Sequence, residues 1–283
     1  MTRKDENESG RLRLDSLVDA VLASSNYKDI APALIRSIGL QELAKRRTTK
    51  EAIKATKNKL HQVTGAYMED KGHYDGWLAR LRTTLHAGNE SALREQCKQI
   101  MSYHASTRER LPILDQFYAK IFAQLPPVRN VLDIACGLNP LALPWMPLPA
   151  EATYIACDIH QLMMAFLQTW LEMNKVAGRA EVCDVLASCP TEKVDVAFLL
   201  KTLPCLEQVD KTASKRLLTT LQADFLVVSY PAQSLGGRNK GMMEYYEKHF
   251  RELVELVAQE TWQVTRLVFS SELVFVVKTN WAQ

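Results

Sequence analysis

VLDIACGLNP, residues 131–140, is the stretch that decides the fold. Val131 and Leu132 lead into Asp133, and the run then breaks into the small residues Ala135, Cys136 and Gly137. An apolar strand that carries an acid near its tip and opens into a turn of small residues lets backbone N–H groups come close to a ligand. Only Gly137 is a glycine, so the turn is not the G-x-G-x-x-G of a dinucleotide site, and a nicotinamide oxidoreductase is the least favoured class. A ligand with no pyrophosphate needs fewer glycines.

Downstream of this turn, short apolar runs alternate with helical segments. Strands are expected over 128–135, 153–157, 180–183, 194–200 and 225–229, with helices over 161–175 and 210–221. Such alternation predicts a parallel sheet with crossover helices. The chain closes with two strand-like runs, 262–270 and 272–278, separated by almost nothing, which predicts an antiparallel hairpin. Five parallel strands and a terminal hairpin are the strand inventory of the Rossmann-like class I methyltransferases. The fold expected is therefore α/β with a seven-stranded sheet.

Two further acids stand where successive strands would end. Asp158 closes YIACD, 21 residues beyond Gly137, the place from which a carboxylate accepts hydrogen bonds from both hydroxyls of a ribose. Asp184 follows AEVC, where it and the N–H of Val185 can read an adenine edge. Three acids at three successive strand ends point to one ligand at the carboxyl edge of the sheet. The competing reading is that each acid merely caps the helix that follows.

Upstream, the chain reads as helices throughout, over 15–24, 29–38, 48–65, 74–85 and 90–103. Gly39 is the expected stop of the second, and Thr48 with Glu51 is the capping box that starts the third. The division expected is a helical N-terminal domain over 1–106 and a catalytic domain over 107–283. Residues 1–110 carry 20 Lys and Arg against 14 Asp and Glu, whereas residues 111–283 carry 15 against 18. The excess concentrates around the third helix, where Arg46, Arg47, Lys50, Lys54 and Lys57 meet only Glu51 as an opposing charge. Arg46, Lys50, Lys54 and Lys57 recur at i, i+4, i+8 and i+11, one face wherever the segment is helical. Stacked like charges destabilise an isolated helix and suit a polyanion that neutralises them; a lysine-rich solvent face is the alternative. The six cysteines form no C-x-x-C pair, which disfavours a zinc or redox motif and fits a reducing cytoplasm, and no metal site is expected. No apolar run approaches the roughly 20 residues of a membrane span.

The sequence closely resembles the aminoglycoside-resistance 16S rRNA methyltransferases, which modify guanine N7 in the decoding site. The resemblance rests on HASTRERL (104–111), LDIACGLNPLALPWM (132–146), Asp158-Ile159, LLKTLPCLE (199–207), SYPAQSLGGRNKGM (229–242) and SELVFVVK (271–278). It implies S-adenosylmethionine as cofactor and 16S rRNA of the small ribosomal subunit as substrate, with a cytoplasmic, monomeric enzyme. It implies that Arg110 pairs with the cofactor carboxylate, with His104, Ala105 and Ser106 in the same pocket. Asp133, Ala135, Gly137, Asp158, Asp184, Val185, Leu200 and Gln208 complete the cofactor set, and Lys201 and Glu207 become positioning residues at the transfer site. Arg238 and Lys240, among three glycines, would face phosphate. Read without the family, Ser106 and Glu109 are a capping box, and Tyr245, Tyr246 and Phe250 are core packing in preference to the alternative, base stacking.

Guanine N7 has a free lone pair and no proton to lose, so no general base is expected; alignment of the reacting atoms is the main requirement. Three other readings stay open on sequence: an adenine-N1 rRNA methyltransferase, a small-molecule methyltransferase with an enclosed pocket, and a ribosome-binding factor without turnover.

Overall fold

Each apolar run beyond Pro127 finds a neighbour of the same kind, and the pairing builds one sheet. A computed structural model describes residues 3–62, 73–232, 241–258 and 262–279. The strands are β1 (Asn130–Ile134), β2 (Thr153–Asp158), β3 (Ala177–Val182), β4 (Val194–Leu200), β5 (Ala223–Pro231), β6 (Gln263–Val268) and β7 (Glu272–Lys278). Their order is β3-β2-β1-β4-β5-β7-β6. The first five run parallel, and β7 lies antiparallel between β5 and β6. This is the expected seven-stranded sheet with its terminal hairpin. β3 starts earlier than its apolar signal, because Ala177–Val182 pairs with the whole of β2 while, as an edge strand, it buries little.

The described helices are α1 (Arg3–Leu22), α2 (Pro32–Lys45), α3 (Thr49–Leu60), α4 (Tyr74–His86), α5 (Glu90–Met101), α6 (Ala105–Arg110), α7 (Leu114–Phe122), α8 (Gln161–Met173), α9 (Thr202–Val209), α10 (Ala213–Thr220) and α11 (Met242–Val257). Local chemistry sets several of their ends. The Thr48 hydroxyl accepts from Glu51 N–H at 3.2 Å and the Glu51 carboxylate accepts from Thr48 N–H at 3.3 Å, so the expected capping box forms. Asn89 caps α5 by accepting from Ala92 N–H at 3.0 Å.

Gly39, expected to end α2, lies inside it. A Cβ there would come within 2.5 Å of Leu17 Cδ2, so the glycine serves the close crossing of α1 and α2 rather than a helix stop. α9 is a helix that the apolar pattern did not declare; it is short and shares its apolar residues with the sheet. No described helix is long and apolar enough to cross a membrane.

Three apolar clusters organise the molecule. On one sheet face Val131, Phe198 and Val276 pack with Phe117, Phe166 and Trp170. The buried faces of α4 and α5, Trp77, Leu81, Cys97 and Ile100 among them, belong to this same cluster. On the other face Leu132, Leu199 and Phe275 pack with α9, α10 and α11. The third cluster joins α1, α2 and α3 through Leu17, Val21, Leu34, Ile38 and Leu60. The break between clusters therefore falls between α3 and α4, whereas the sequence-based division runs at 106–107. Burial of side chains such as Phe198 and Trp170 contributes about 1.5–3 kcal/mol each.

The α1–α3 unit is tied to the sheet at one corner. Ile30 forms an antiparallel bridge with His160, and Ala31 N–H donates to Ile159 O at 2.8 Å. Gln161 N–H donates back to Asp29 O at 2.9 Å. These bonds engage the residues immediately after Asp158, at the carboxyl end of β2.

Candidate active site

The carboxyl ends of β1, β2, β3 and β4 surround an open cleft of about 860 Å³. It lies where the strand order reverses between β1 and β4, the point at which open α/β sheets bind ligands. Of the residues proposed from sequence, His104, Ser106, Ala135, Asp158, Asp184, Val185, Leu200 and Lys201 line it.

At the first strand tip the chain turns through two positive φ angles, Ala135 at 50° and Gly137 at 52°. Gly137 N–H donates to Asp158 Oδ2 at 3.0 Å. A Cβ on Gly137 would stand 2.7 Å from the His104 ring, so this position requires glycine for space as well as for φ. Ile159 N–H and His160 N–H donate to Asp158 Oδ1 at 2.7 and 3.3 Å. The carboxylate is thus fixed by three backbone donors, and Oδ2, which takes only one of them, keeps a lone pair for a hydroxyl in the cleft.

Asp184 is the clearest sign of what the cleft takes. Its Oδ1 accepts from Leu186 N–H at 3.0 Å, while its buried Oδ2 has no partner among the described residues. Burial raises its carboxyl above the ordinary range. A buried acceptor on a cleft wall is costly unless a ligand donates to it, and an exocyclic amine is such a donor. Together with Asp158 and the apolar walls of Val185 and Leu200, this arrangement fits an adenosine. His104 lies across the turn. Burial first, then the charges of His160, Arg110, Lys201 and Arg108, push its pKa down to about 3, so the imidazole is neutral at physiological pH.

Asp133 and Arg110 are not in the cleft but beneath it. Asp133 Oδ2 accepts from Asn139 Nδ2 at 2.9 Å and from Tyr154 OH at 2.7 Å, and burial raises its pKa to about 6. Arg110, 0% exposed, spans Glu272 with Nε at 2.8 Å and Nη2 at 3.1 Å and gives Nη1 to Asn139 Oδ1 at 2.8 Å. Its guanidinium also lies 4.6 Å over the Phe117 ring. Burial would lower the Arg110 pKa, but the Glu272 carboxylate outweighs it and raises it further. Arg110, for which the resemblance implies a pairing with the cofactor carboxylate, is thus bonded to Glu272 and Asn139 and does not itself line the cleft. Ala105 is buried at the start of α6 and Gly137 acts through its N–H.

Lys201 stands at the tip of β4 with φ 61°, a left-handed conformation unusual for a side chain of this size. Its Nζ donates to Glu109 Oε2 at 2.6 Å and to Ser106 O at 3.4 Å, and lies 3.5 Å from Glu272 Oε1. Glu109 is therefore engaged with Lys201, and Ser106 is not the N-cap of α6; that position is His104, with no side-chain cap bond among the described residues. Glu272 also accepts from Ser229 Oγ at 2.8 Å. Burial would raise its carboxyl, yet Arg110 and Lys201 hold it below the ordinary range.

Glu207 and Gln208 are not brought to the cleft. Thr202, Cys205, Leu206 and Val209 form the cleft face of α9. Glu207 faces the other way, with both carboxylate oxygens 3.1 Å from His249 Nε2 on α11, and Gln208 is exposed. The sequence reading also missed Asn139, Glu272 and Leu34. Leu34, on α2, lines the cleft and so makes the N-terminal unit part of its wall. Asn139 could have been flagged by its place in the CGLNP turn; Glu272 and Leu34 reach the site only through tertiary folding.

The expected basic face is split. Arg46 is the C-cap of α2, extended at φ −111°, and binds Glu42 at 3.2 Å. Lys59 holds the other oxygen of Glu42 at 3.0 Å. Lys50, Lys54 and Lys57 alone carry the stripe along α3, opposite its buried Ala52, Thr56 and Leu60, with Arg47 just before the helix. None of these four forms an ion pair among the described residues. Arg238 and Lys240 lie outside the described residues.

Residues 23–276 match the family described as Ribosomal RNA methyltransferase (FmrO). A 16S rRNA (guanine(1405)-N(7))-methyltransferase of Micromonospora rosea is 37% identical over 271 residues, covering 95% of this chain and 98% of the relative. One of Serratia marcescens is 33% identical, covering 95% of this chain and all of the relative. The crystal structure of 16S rRNA methyltransferase RmtF in complex with S-adenosyl-L-homocysteine superposes with a TM-score of 0.78 at 35% identity, covering 95% of this chain and 98% of that one. The 16S rRNA methylase RmtB gives 0.76 at 30%, covering 94% and 98%.

Proposed function

The chain belongs to the ribosomal RNA methyltransferase (FmrO) family, and we propose from that premise how its residues share the work of methylating guanine N7. It is an S-adenosylmethionine-dependent 16S rRNA methyltransferase acting at guanine(1405). The observation that carries the assignment of the cleft is the convergence there of Asp158, held by three backbone donors, and Asp184, whose buried Oδ2 awaits a donor.

In this reading Asp158 takes the ribose hydroxyls, and Asp184 with Val185 takes the adenine edge. Neutral His104 packs the turn, and Ala135 and Leu200 line the site. The cofactor's sulfonium supplies the methyl group when bound. Lys201, clamped to α6 by Glu109 and Ser106 O, fixes the tip of β4 on which the incoming base is presented. No residue serves as general base, because N7 has no proton to lose. The residues' contribution is alignment of the acceptor with the donor, an entropic effect. N7 faces the deep major groove of an RNA helix, so the guanine is extruded to reach the cleft, at a cost of a few kcal/mol.

Arg47, Lys50, Lys54 and Lys57 meet rRNA phosphates and offset that cost. The α1–α3 unit is the recognition element, and the intact small subunit, whose folded shape it reads, is the substrate. The product nucleotide carries a new methyl group and a positive charge in the decoding site, which yields aminoglycoside resistance.

The test is transfer of labelled methyl from S-adenosylmethionine to intact small subunits and to naked 16S rRNA, with the modified nucleotide mapped. Labelling of subunits alone, at guanine N7, is expected. Equal labelling of naked RNA would overturn recognition by subunit shape, and no labelling of either would overturn the reading.

A further inference from the structure

The start of α11 lies near the carboxyl end of β5, where Tyr246 packs on Tyr230, and Tyr245 stands in its first turn. Tyr246 and Phe250 do pack inward, Tyr246 on Tyr230 at 4.8 Å and Phe250 into the core. Tyr245 does not: it is 63% exposed. Its ring lies parallel to the His249 imidazole, 6.1 Å away at an interplanar angle of 2°, and meets Tyr246 edge-on at 5.4 Å. His249 is held in turn by both oxygens of Glu207, a residue of α9, the helix whose opposite face lines the cleft.

An exposed phenol ring on a helix should sample several rotamers. This one is backed on two sides by rings, and one of those is fixed by a carboxylate. Such a surface costs little further entropy when another flat ring settles on it. A protein partner is less favoured, since Tyr245 adjoins Tyr246, which stacks on Tyr230 at the carboxyl end of β5, the strand beside β4 whose tip lines the cleft that receives an RNA base.

We propose that Tyr245, backed by His249 and held through Glu207, is a stacking platform for a nucleobase of 16S rRNA that neighbours the target guanine. The inference rests on the reading of the chain as a 16S rRNA methyltransferase. It gives Glu207 a role as a positioning residue outside the cleft. The platform accepts any base by its π-face and so contributes affinity and register rather than sequence readout.

The experiment is steady-state methylation of intact small subunits by wild type, Tyr245→Ala and Tyr245→Phe, with Leu256→Ala, also exposed on α11, as control. Cofactor affinity is read by titration with S-adenosylhomocysteine, folding by thermal melting and self-association by sedimentation. Tyr245→Ala is expected to lower kcat/KM for subunits about ten- to a hundredfold through KM, with melting and cofactor affinity unchanged. Tyr245→Phe stays close to wild type, because the ring and not the hydroxyl acts. Wild-type kcat/KM in Tyr245→Ala would overturn the proposal, as would a loss equal in Phe and Ala. Altered sedimentation with unaltered kinetics would make the surface a self-association site and overturn it too. Absence of methylation by the wild type would instead sink the functional reading, and the platform with it.

Discussion

Arg110 and Lys201, beneath and beside the cleft, are the same residue types as Arg47, Lys50, Lys54 and Lys57 on the N-terminal unit, in opposite surroundings. The first two are 0% and 7% exposed, and each is tied to a carboxylate brought from a distant part of the chain. The other four form no ion pair among the described residues, and Arg47, Lys50 and Lys54 are exposed. A buried cation is neutralised by architecture and so is committed to it. An exposed row of like charges is uncompensated and costs the free protein stability, which a polyanion reverses. The comparison separates the cations that build this enzyme from those that meet its substrate.

The largest effect is expected at the buried end. Glu272→Gln leaves Arg110 buried without its counter-charge, a loss of about 3–5 kcal/mol and a melting temperature lower by roughly 10 °C. The pair Arg110→Met with Glu272→Leu should recover most of that loss, since an apolar pair leaves no orphan charge. A cost below about 1 kcal/mol for Glu272→Gln in chemical denaturation would break the comparison, for a surface pair loses no more than that.

Acid sharpens the contrast further. His104 titrates near its ordinary 6.5 when unfolded and at about 3 when folded. Between those values the unfolded chain binds the extra proton, so this contribution to stability is full above 6.5 and is lost as pH falls toward 3. The slope for one such group approaches about 1.4 kcal/mol per pH unit. Denaturation curves of His104→Asn should be flatter by that amount between about pH 6 and pH 4; an unchanged slope would show that this imidazole is not the group excluded.

A smaller effect belongs to the N-terminal unit. Thr48→Ala removes the hydroxyl half of the capping box at the start of the basic helix. It should cost about 1 kcal/mol in urea denaturation, with the cofactor affinity unmoved.

Much of the site could be read where its determinants are local. The turn after β1 and the acids at the tips of β2 and β3 follow from strand ends and a 21-residue interval, features carried by neighbouring residues. The capping box at Thr48 and the terminal hairpin are local in the same sense. What escaped is non-local. Arg110 has the sequence context of a cofactor ligand, and its bond to Glu272 comes from 162 residues away. Glu207 follows the catalytic strand, yet the phase of α9 points it at His249. Gly39 has the composition of a helix stop, but close packing on Leu17 gives it another purpose. Arg46 fits the helical spacing of the basic stripe, but the helix begins after it.

The most direct test of the account is the salt dependence of subunit methylation by wild type and by the triple variant Lys50→Gln, Lys54→Gln, Lys57→Gln. Cofactor affinity is measured alongside. Three lost phosphate contacts should make the dependence of log kcat/KM on log salt shallower by about 2–3. KM for subunits should rise at least tenfold, with the affinity for S-adenosylhomocysteine unchanged. Parallel salt slopes and an unchanged KM would contradict the account, for the exposed cations would then be a solvated surface and no part of how this enzyme finds its rRNA.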